Sequence, residues 1–280
     1  MSLSIAAIVL VAALLHATWN AVVKGAGDKT VVLGLIALGH VVPGIAVVAL
    51  APPPDPVAIP YIIASTVIHW GYYFLLNMAY RLGDLSVMYP VARGLAPVLI
   101  AIGAQVWADE TLPPLAWAGV LSVSAGIMVL TRGLFSGALP PAAVLAALGT
   151  AGFVAAYSLV DGIGIRASGS PLGYIGWLYV AELTVAAFIF VTRWGRVRAM
   201  ARRTAVLGFG GGVISGAAYA LVLYAKTLAP LGIVSALRET SVIFAALIGV
   251  LWFGEGPKGN RLLAAVVVAA GIVLIGLANG

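Results

Sequence analysis

The chain has 280 residues, of which 62% are hydrophobic and only 9% charged, with a net charge of +6. A soluble domain carries roughly 25% charged residues, so a soluble enzyme is excluded. Disorder is excluded too, because it needs low hydrophobicity and high charge. What stands is a polytopic membrane protein, since a helical span takes roughly 20 residues.

Taken in chain order, ten apolar segments separate at polar or Gly/Pro-rich breaks: 3–23, 30–50, 58–79, 86–107, 114–131, 140–160, 172–192, 204–225, 233–253 and 260–278. The first has no basic residues ahead of it, so it reads as a retained span and not a cleaved signal. The breaks include Lys24 to Lys29, the run Pro52-Pro53-Pro54-Asp55-Pro56, Arg81 to Asp84, Asp109-Glu110, Arg132 to Gly137, Asp161 to Pro171, Arg193 to Arg203, and Lys226 to Gly232. A β-barrel would need alternating apolar and polar residues over about ten positions, and none of the segments alternates.

The basic residues sort by connection. Odd-numbered connections hold Lys24, Lys29, Arg81, Arg132, Arg193, Arg196, Arg198, Arg202, Arg203, Lys258 and Arg261. Even-numbered ones hold Arg166 and Lys226, while Arg93 and Arg238 fall inside spans. This bias places the odd connections in the cytoplasm and both termini on the other side. Scattered through short loops, these charges suit lipid headgroups and not nucleic acid. With no cysteine there is no disulfide, thiol nucleophile or Cys-ligated zinc. The sequence points to no metal and no cofactor.

The chain repeats itself at an offset of 145 positions. Gly71, Arg93, Trp107, Glu110, Ala125, Gly126 and Ile127 recur as Gly216, Arg238, Trp252, Glu255, Ala270, Gly271 and Ile272. An arginine inside a span is rare, so two at one phase argue for duplication. The halves would be 1–135 and 136–280. Five spans each makes the second half cross in the opposite sense, an inverted repeat with a midplane site between halves.

Further motifs carry a resemblance. They are Trp19-Asn20, Tyr72-Tyr73-Phe74, Tyr80-Arg81-Leu82-Gly83, and Tyr89-Pro90 with Pro97, together with the acidic turns at Glu110 and Glu255 and the Ala-Gly-Ile triplets. The pattern resembles the drug/metabolite transporter superfamily, in its ten-span EamA-type branch. That resemblance implies an all-α integral membrane protein, a basket of ten helices around a central cavity, alternating access, and export of small metabolites such as amino acids. Many relatives carry basic termini and keep both ends in the cytoplasm, the reverse of the charge count here.

Ionisable groups within spans are costly and usually paired or functional. Arg93 lies one turn after Tyr89, and its guanidinium suits a carboxylate; the alternative is a structural ion pair. Arg238 is its repeat mate, with Glu239 adjacent, where a structural network is the stronger reading. Glu182, mid-span, suits proton coupling or a substrate ammonium, unless it pairs with Arg93 or Arg238. His69, Tyr73, Asn77 and Tyr80 form a stripe at helical spacing, as do His16, Trp19 and Asn20. Tyr157, with Ser158 and Asp161, and Tyr219 add polar atoms to spans six and eight. His40 reads as structural. Trp107, Trp117, Trp194 and Trp252 read as interfacial anchors. Gly208, Gly212 and Gly216 recur every fourth residue, a pattern that lets helices approach closely.

The candidate binding residues are therefore His16, Trp19, Asn20, His69, Tyr73, Asn77, Tyr89, Arg93, Tyr157, Tyr219 and Arg238, with Glu182 and Glu239 for coupling. The reading is a monomeric secondary exporter of amino acids or related metabolites in a bacterial cytoplasmic membrane, with lipid and a small molecule as its partners. Two alternatives stay open: a proton-coupled exporter of amphipathic cations, and, more weakly, an intramembrane enzyme.

Overall fold

The computed structural model describes residues 2–24, 26–82, 85–130, 140–251 and 258–278. Side chains at 76, 77, 79–81, 85–89 and 258 lie outside that description. The candidates Asn77 and Tyr89 are among them, and Trp252 and Glu255 also lie outside the described residues.

Among the described residues, all regular elements are helical. They are α1 (Leu3–Val23), α2 (Lys29–Leu50), α3 (Ile59–Leu82), α4 (Leu85–Trp107), α5 (Pro114–Met128), α6 (Pro141–Ala167) and α7 (Pro171–Ala181). There follow α8 (Leu183–Thr192), α9 (Trp194–Arg198), α10 (Arg202–Lys226), α11 (Leu231–Arg238), α12 (Ser241–Leu251) and α13 (Lys258–Leu277). Among the described residues, eight stretches are long and apolar enough to cross a membrane, counting α7 with α8 and α11 with α12 as single crossings. α3 has 24 residues, and α5 is a shorter apolar helix of 15. The protein is thus a multi-pass membrane protein with eight to ten apolar crossings.

Local chemistry sets the ends. Asp28 caps α2, its Oδ1 accepting from the N–H groups of Thr30 at 2.9 Å and Val31 at 3.2 Å. Its other oxygen meets Arg196 Nη1 at 3.2 Å, on an exposed face. Slight burial pushes the Asp28 carboxyl up, but Val31, Thr30 and Arg196 together outweigh it and hold the group below its ordinary 3.8. A depressed folded value means the contribution is present above the unfolded value and is lost as pH falls through the folded one. Asp28→Ala should cost about 1 kcal/mol through the lost cap. Arg196→Ala should cost little, being one half of an exposed pair. Thermal melts in detergent check both, and the Asp28 deficit should shrink only in acid below the ordinary carboxylate range.

The interior is built from small residues. α1 packs on α10, α10 on α2, α2 on α7, α3 and α4 on α6, and α5 on α13. The cluster between α4, α5, α11 and α13 comprises Ala101, Ala116, Val120, Val123, Ile127, Ile233, Ala236, Val268 and Ile275. Large apolar side chains such as Leu50, Phe74, Val191 and Leu251 point outward. Exposed to water they would make aggregation-prone patches; against acyl chains they are matched. With lipid as apolar as the core, close contact through small residues is what holds such helices together.

The glycine stripe of α10 shows this at its tightest. Gly208 meets Leu35, Gly212 meets Ile36 and Gly39, and Gly216 meets His40, so the stripe lies along α2. A Cβ added at Gly39 would sit 2.6 Å from the Phe209 carbonyl oxygen and 2.7 Å from the Gly212 Cα.

Four expectations change. Asp161 and Lys226, expected at breaks, lie inside α6 and α10 at 0% and 1% exposure. The connection 193–203 contains the short arginine-bearing helix α9. Spans seven and nine are interrupted, at Glu182 and at Glu239-Thr240. Trp117 packs against the α5/α13 core, whereas Trp107 and Trp194 are exposed as anchors should be.

Candidate functional site

Two arginines and two carboxylates are the charged candidates within the spans. Arg93 lies in α4, one turn before Pro97, whose ring lacks the N–H that would bond the Arg93 carbonyl. Arg93 Nη2 donates to Glu239 Oε1 at 2.7 Å, with side chains 8% and 3% exposed. Glu239 is placed by a tightened turn: its N–H bonds the Ala236 carbonyl, and the Thr240 N–H bonds that of Leu237. Such three-residue bonds are the 3₁₀ geometry that often marks a functional break in a helix. Arg93 is thus ion-paired, with Glu239 as partner.

Glu182 sits at a similar tightened turn, its N–H bonded to the Tyr179 carbonyl. Its partner is neither arginine. His40 Nδ1 lies 2.9 Å from Glu182 Oε2, and Tyr179 stacks on the His40 ring at 5.1 Å between centroids. Tyr179 in turn donates its hydroxyl to the Gly216 carbonyl at 2.5 Å. His40, read as structural from sequence, is thus the group that holds a coupling candidate.

Aromatic rings gather where α3, α6 and α10 meet. His69 stacks on Tyr157 at 4.2 Å, Tyr72 lies edge-on to Tyr157 at 5.7 Å, and Tyr73 is 5.3 Å from Tyr72. Tyr219 stands edge-on to Tyr157 at 6.2 Å, and the Arg238 guanidinium lies 6.0 Å over the Tyr219 ring. The Ser65 carbonyl accepts from His69 Nδ1 at 2.8 Å, which fixes that tautomer. On α1, Trp19 Nε1 donates to His16 Nδ1 at 3.2 Å, so the neutral imidazole carries its hydrogen on Nε2. That Nε2 is buried with no hydrogen-bond partner among the described residues, within electrostatic reach of Arg238 and Arg93. Asn20 spends its amide on the His16 carbonyl at 2.7 Å.

Below the rings lies Asp161, fully buried. It accepts from Tyr174 at 3.0 Å on Oδ1 and from Tyr219 at 2.5 Å on Oδ2. Lys226 Nζ donates to the Ser158 carbonyl at 2.7 Å, one turn earlier in α6.

The even-numbered connections are stitched together. Asp109 takes a left-handed φ of +51°, the Glu110 N–H returns to the Ala104 carbonyl, and α4 ends there. Glu110 is thereby turned inward. Its Oε1 meets Arg166 Nη1 at 2.7 Å, and its Oε2 accepts from the Leu231 N–H at 2.7 Å, the first amide of α11. Arg166 also donates to the carbonyls of Lys226 at 2.7 Å and Ala229 at 2.8 Å, the last turn of α10 and the bend after it. Asp55 N–H to the Ser168 carbonyl and Ser170 Oγ to the Pro52 carbonyl close the remaining loops. A cleft of about 250 Å³ beside this clasp is lined by Ile165, Arg166, Gly169, Pro171 and Thr227.

The sequence-derived candidates therefore divide. His69, Tyr73, Tyr157, Tyr219 and Arg238 come together, with Arg93, Glu239 and His16 at the electrostatic edge of the group. Trp19 and Asn20 serve His16. Glu182 stands apart with His40. Tyr72, Tyr174, Asp161, Lys226 and Arg166 were not selected as site residues. Asp161 and Lys226 were legible as charges, but not as partners, because what pairs them comes from distant helices.

The stretch from α6 to α13 carries most of these groups, and residues 141–277 match the EamA-like transporter family. Those residues belong to that family. That family is one of membrane transporters of the drug/metabolite type. The fold agrees at full length: a crystal structure of a protein matches over 99% of this chain and 98% of its own, with a TM-score of 0.75 at 21% identity. At that identity the likeness speaks for the fold alone.

Proposed function

We propose that the protein is a secondary exporter of amino acids or related small metabolites, working by alternating access in a bacterial cytoplasmic membrane. The carrying observation is the ring cluster with Arg238 laid over Tyr219. Arg93 is neutralised by Glu239, which leaves Arg238 as the guanidinium turned toward the rings. The substrate carboxylate would meet Arg238, with the His16 Nε2–H as a second donor, and its side chain would lie among Tyr72, Tyr157 and Tyr219. This moves carboxylate capture from Arg93 to its repeat mate. A guanidinium laid over the rings also disfavours the reading as an exporter of amphipathic cations.

The two-repeat arrangement fits the helix pairings. Exchanging each span with the one five places on turns the α1–α10 contact into the α6–α3 contact, and maps the α5–α13 contact onto itself. The basic bias supports odd connections in the cytoplasm. Arg166 and Lys226, the basic residues of the opposite face, are spent on protein groups.

Proteoliposomes offered a radiolabelled mixture of the protein amino acids should show saturable, competable uptake; none would sink the amino-acid assignment. Arg238→Gln should weaken apparent affinity roughly tenfold to a hundredfold, the value of about 1.5–3 kcal/mol for a hydrogen bond to a charged group. Competition by the amides of the same amino acids should change little. Equal loss for acids and amides would place Arg238 in structure and not in recognition.

A further inference from the structure

Two buried charges are used by nothing in the reading above. Lys226 is 1% exposed, and among the described residues its Nζ makes one hydrogen bond, to the Ser158 carbonyl. An ammonium has three N–H donors to satisfy. Asp161, one turn along α6 from Ser158, and Glu110 face it as carboxylates, and Arg238 and Arg166 as guanidinium groups. Lys226 and Asp161 are thus both sealed inside the bundle, on contacting turns of α10 and α6. A buried amine with one hydrogen bond among the described residues, one turn from a buried carboxylate, suits a group that must take up and release a proton.

The surroundings restrict what else the site could hold. Both Asp161 oxygens already accept from tyrosine hydroxyls, Tyr174 from α7 and Tyr219 from α10. Their hydrogens point at the carboxylate, so an entering metal cation would meet donors. Tyr61 of α3, beside Tyr174, and Tyr179 of α7 also face the region, as does Tyr157 on α6 itself.

We propose that Lys226 and Asp161 form a proton-coupling site, at which Lys226 binds and releases the transported proton and Asp161 responds to its charge. On release the ammonium becomes a neutral amine and the proton passes to water on the open face. Asp161 goes on accepting from the two tyrosine hydroxyls. On uptake the steps reverse. The inference rests on the transporter reading, and the contacts give it a route to both ends of the cycle. Tyr219 joins Asp161 to the ring cluster, and the Lys226 carbonyl accepts from Arg166 in the clasp.

Two measurements on the full chain test this with Lys226→Met and Asp161→Asn. In proteoliposomes given the radiolabelled amino-acid mixture, wild-type accumulation should follow an imposed pH gradient. Both variants should lose that accumulation, while counterflow at equal pH persists at a slower rate. Wild-type flux indifferent to the gradient overturns the proposal, as does equal loss of counterflow and driven uptake in well-folded variants. The second measurement needs no substrate: the melting temperature of wild type minus that of Lys226→Met, followed with pH in detergent. A difference that changes with pH supports the site, and a constant difference overturns it. If the mixture is not transported but the melting difference still titrates, the substrate class fails and the proton site stands.

Discussion

Replacing Arg93 by Ala is expected to destabilise the protein by about 3–5 kcal/mol, the usual effect of stranding one partner of a buried ion pair. Glu239 would be left 3% exposed, with its Oε1 unpaired and its Oε2 lacking a hydrogen-bond partner among the described residues. Membrane insertion does not relieve this, because lipid solvates a carboxylate no better than the core does. The double variant Arg93→Met with Glu239→Met should recover most of the loss, since an apolar pair of similar volume avoids desolvating two ions. Denaturant titration or thermal melting in one detergent decides it. A single variant as stable as wild type, or a double variant as damaged as Arg93→Ala, would show that the pair does not hold α4 to the α11/α12 turn. Loss of transport in a stable double variant would instead show that the pair works in the cycle.

Gly212→Val should be comparably damaging for a steric reason. A Cβ there would lie 2.7 Å from the Ile36 Cα and 3.0 Å from the Gly39 Cα, and backbone cannot swing aside as a side chain tip can. Forcing extra atoms into a packed contact typically costs about 1–3 kcal/mol, and a branched side chain against backbone belongs at or above the top of that range. The α2–α10 contact would open, and monodisperse protein should be lost on size exclusion. Gly210, two residues earlier on the same helix, has nothing within 4 Å of an added Cβ. Gly210→Ala should therefore be neutral or stabilising by up to about 1 kcal/mol, through the usual helix preference for alanine. Similar behaviour of the two variants would refute the close-approach argument.

The membrane class, the apolar segments and the motifs of the transporter family were legible in the sequence because composition and hydropathy are local properties. The stripe at His69 and Tyr73 was legible for the same reason: helical spacing puts those residues on one face. Pairing was not. His40 and Glu182 lie 142 positions apart, and Arg93 and Glu239 lie 146 apart. Residues next to a charge in sequence say nothing of such partners. Asp161 looked like a chain break because an aspartate is a poor mid-span residue. It stays within α6 because Tyr174 and Tyr219 supply hydroxyls from two other helices. The interruptions at Glu182 and Glu239 carry no glycine or proline to announce them. Hydropathy averages over such a turn and reads one continuous span.

The clasp between α6 and the α10–α11 bend has a consequence for how the protein tolerates change. Arg166 grips the carbonyls of Lys226 and Ala229, and Glu110 takes the Leu231 amide. The receiving half is thus written in main chain, which every amino acid but proline offers alike. Residues 227–231 can drift in identity without erasing a single bond of the clasp, provided Leu231 does not become proline. Glu110 and Arg166 have no such freedom, and nearly all of the clasp's genetic vulnerability is concentrated in those two codons.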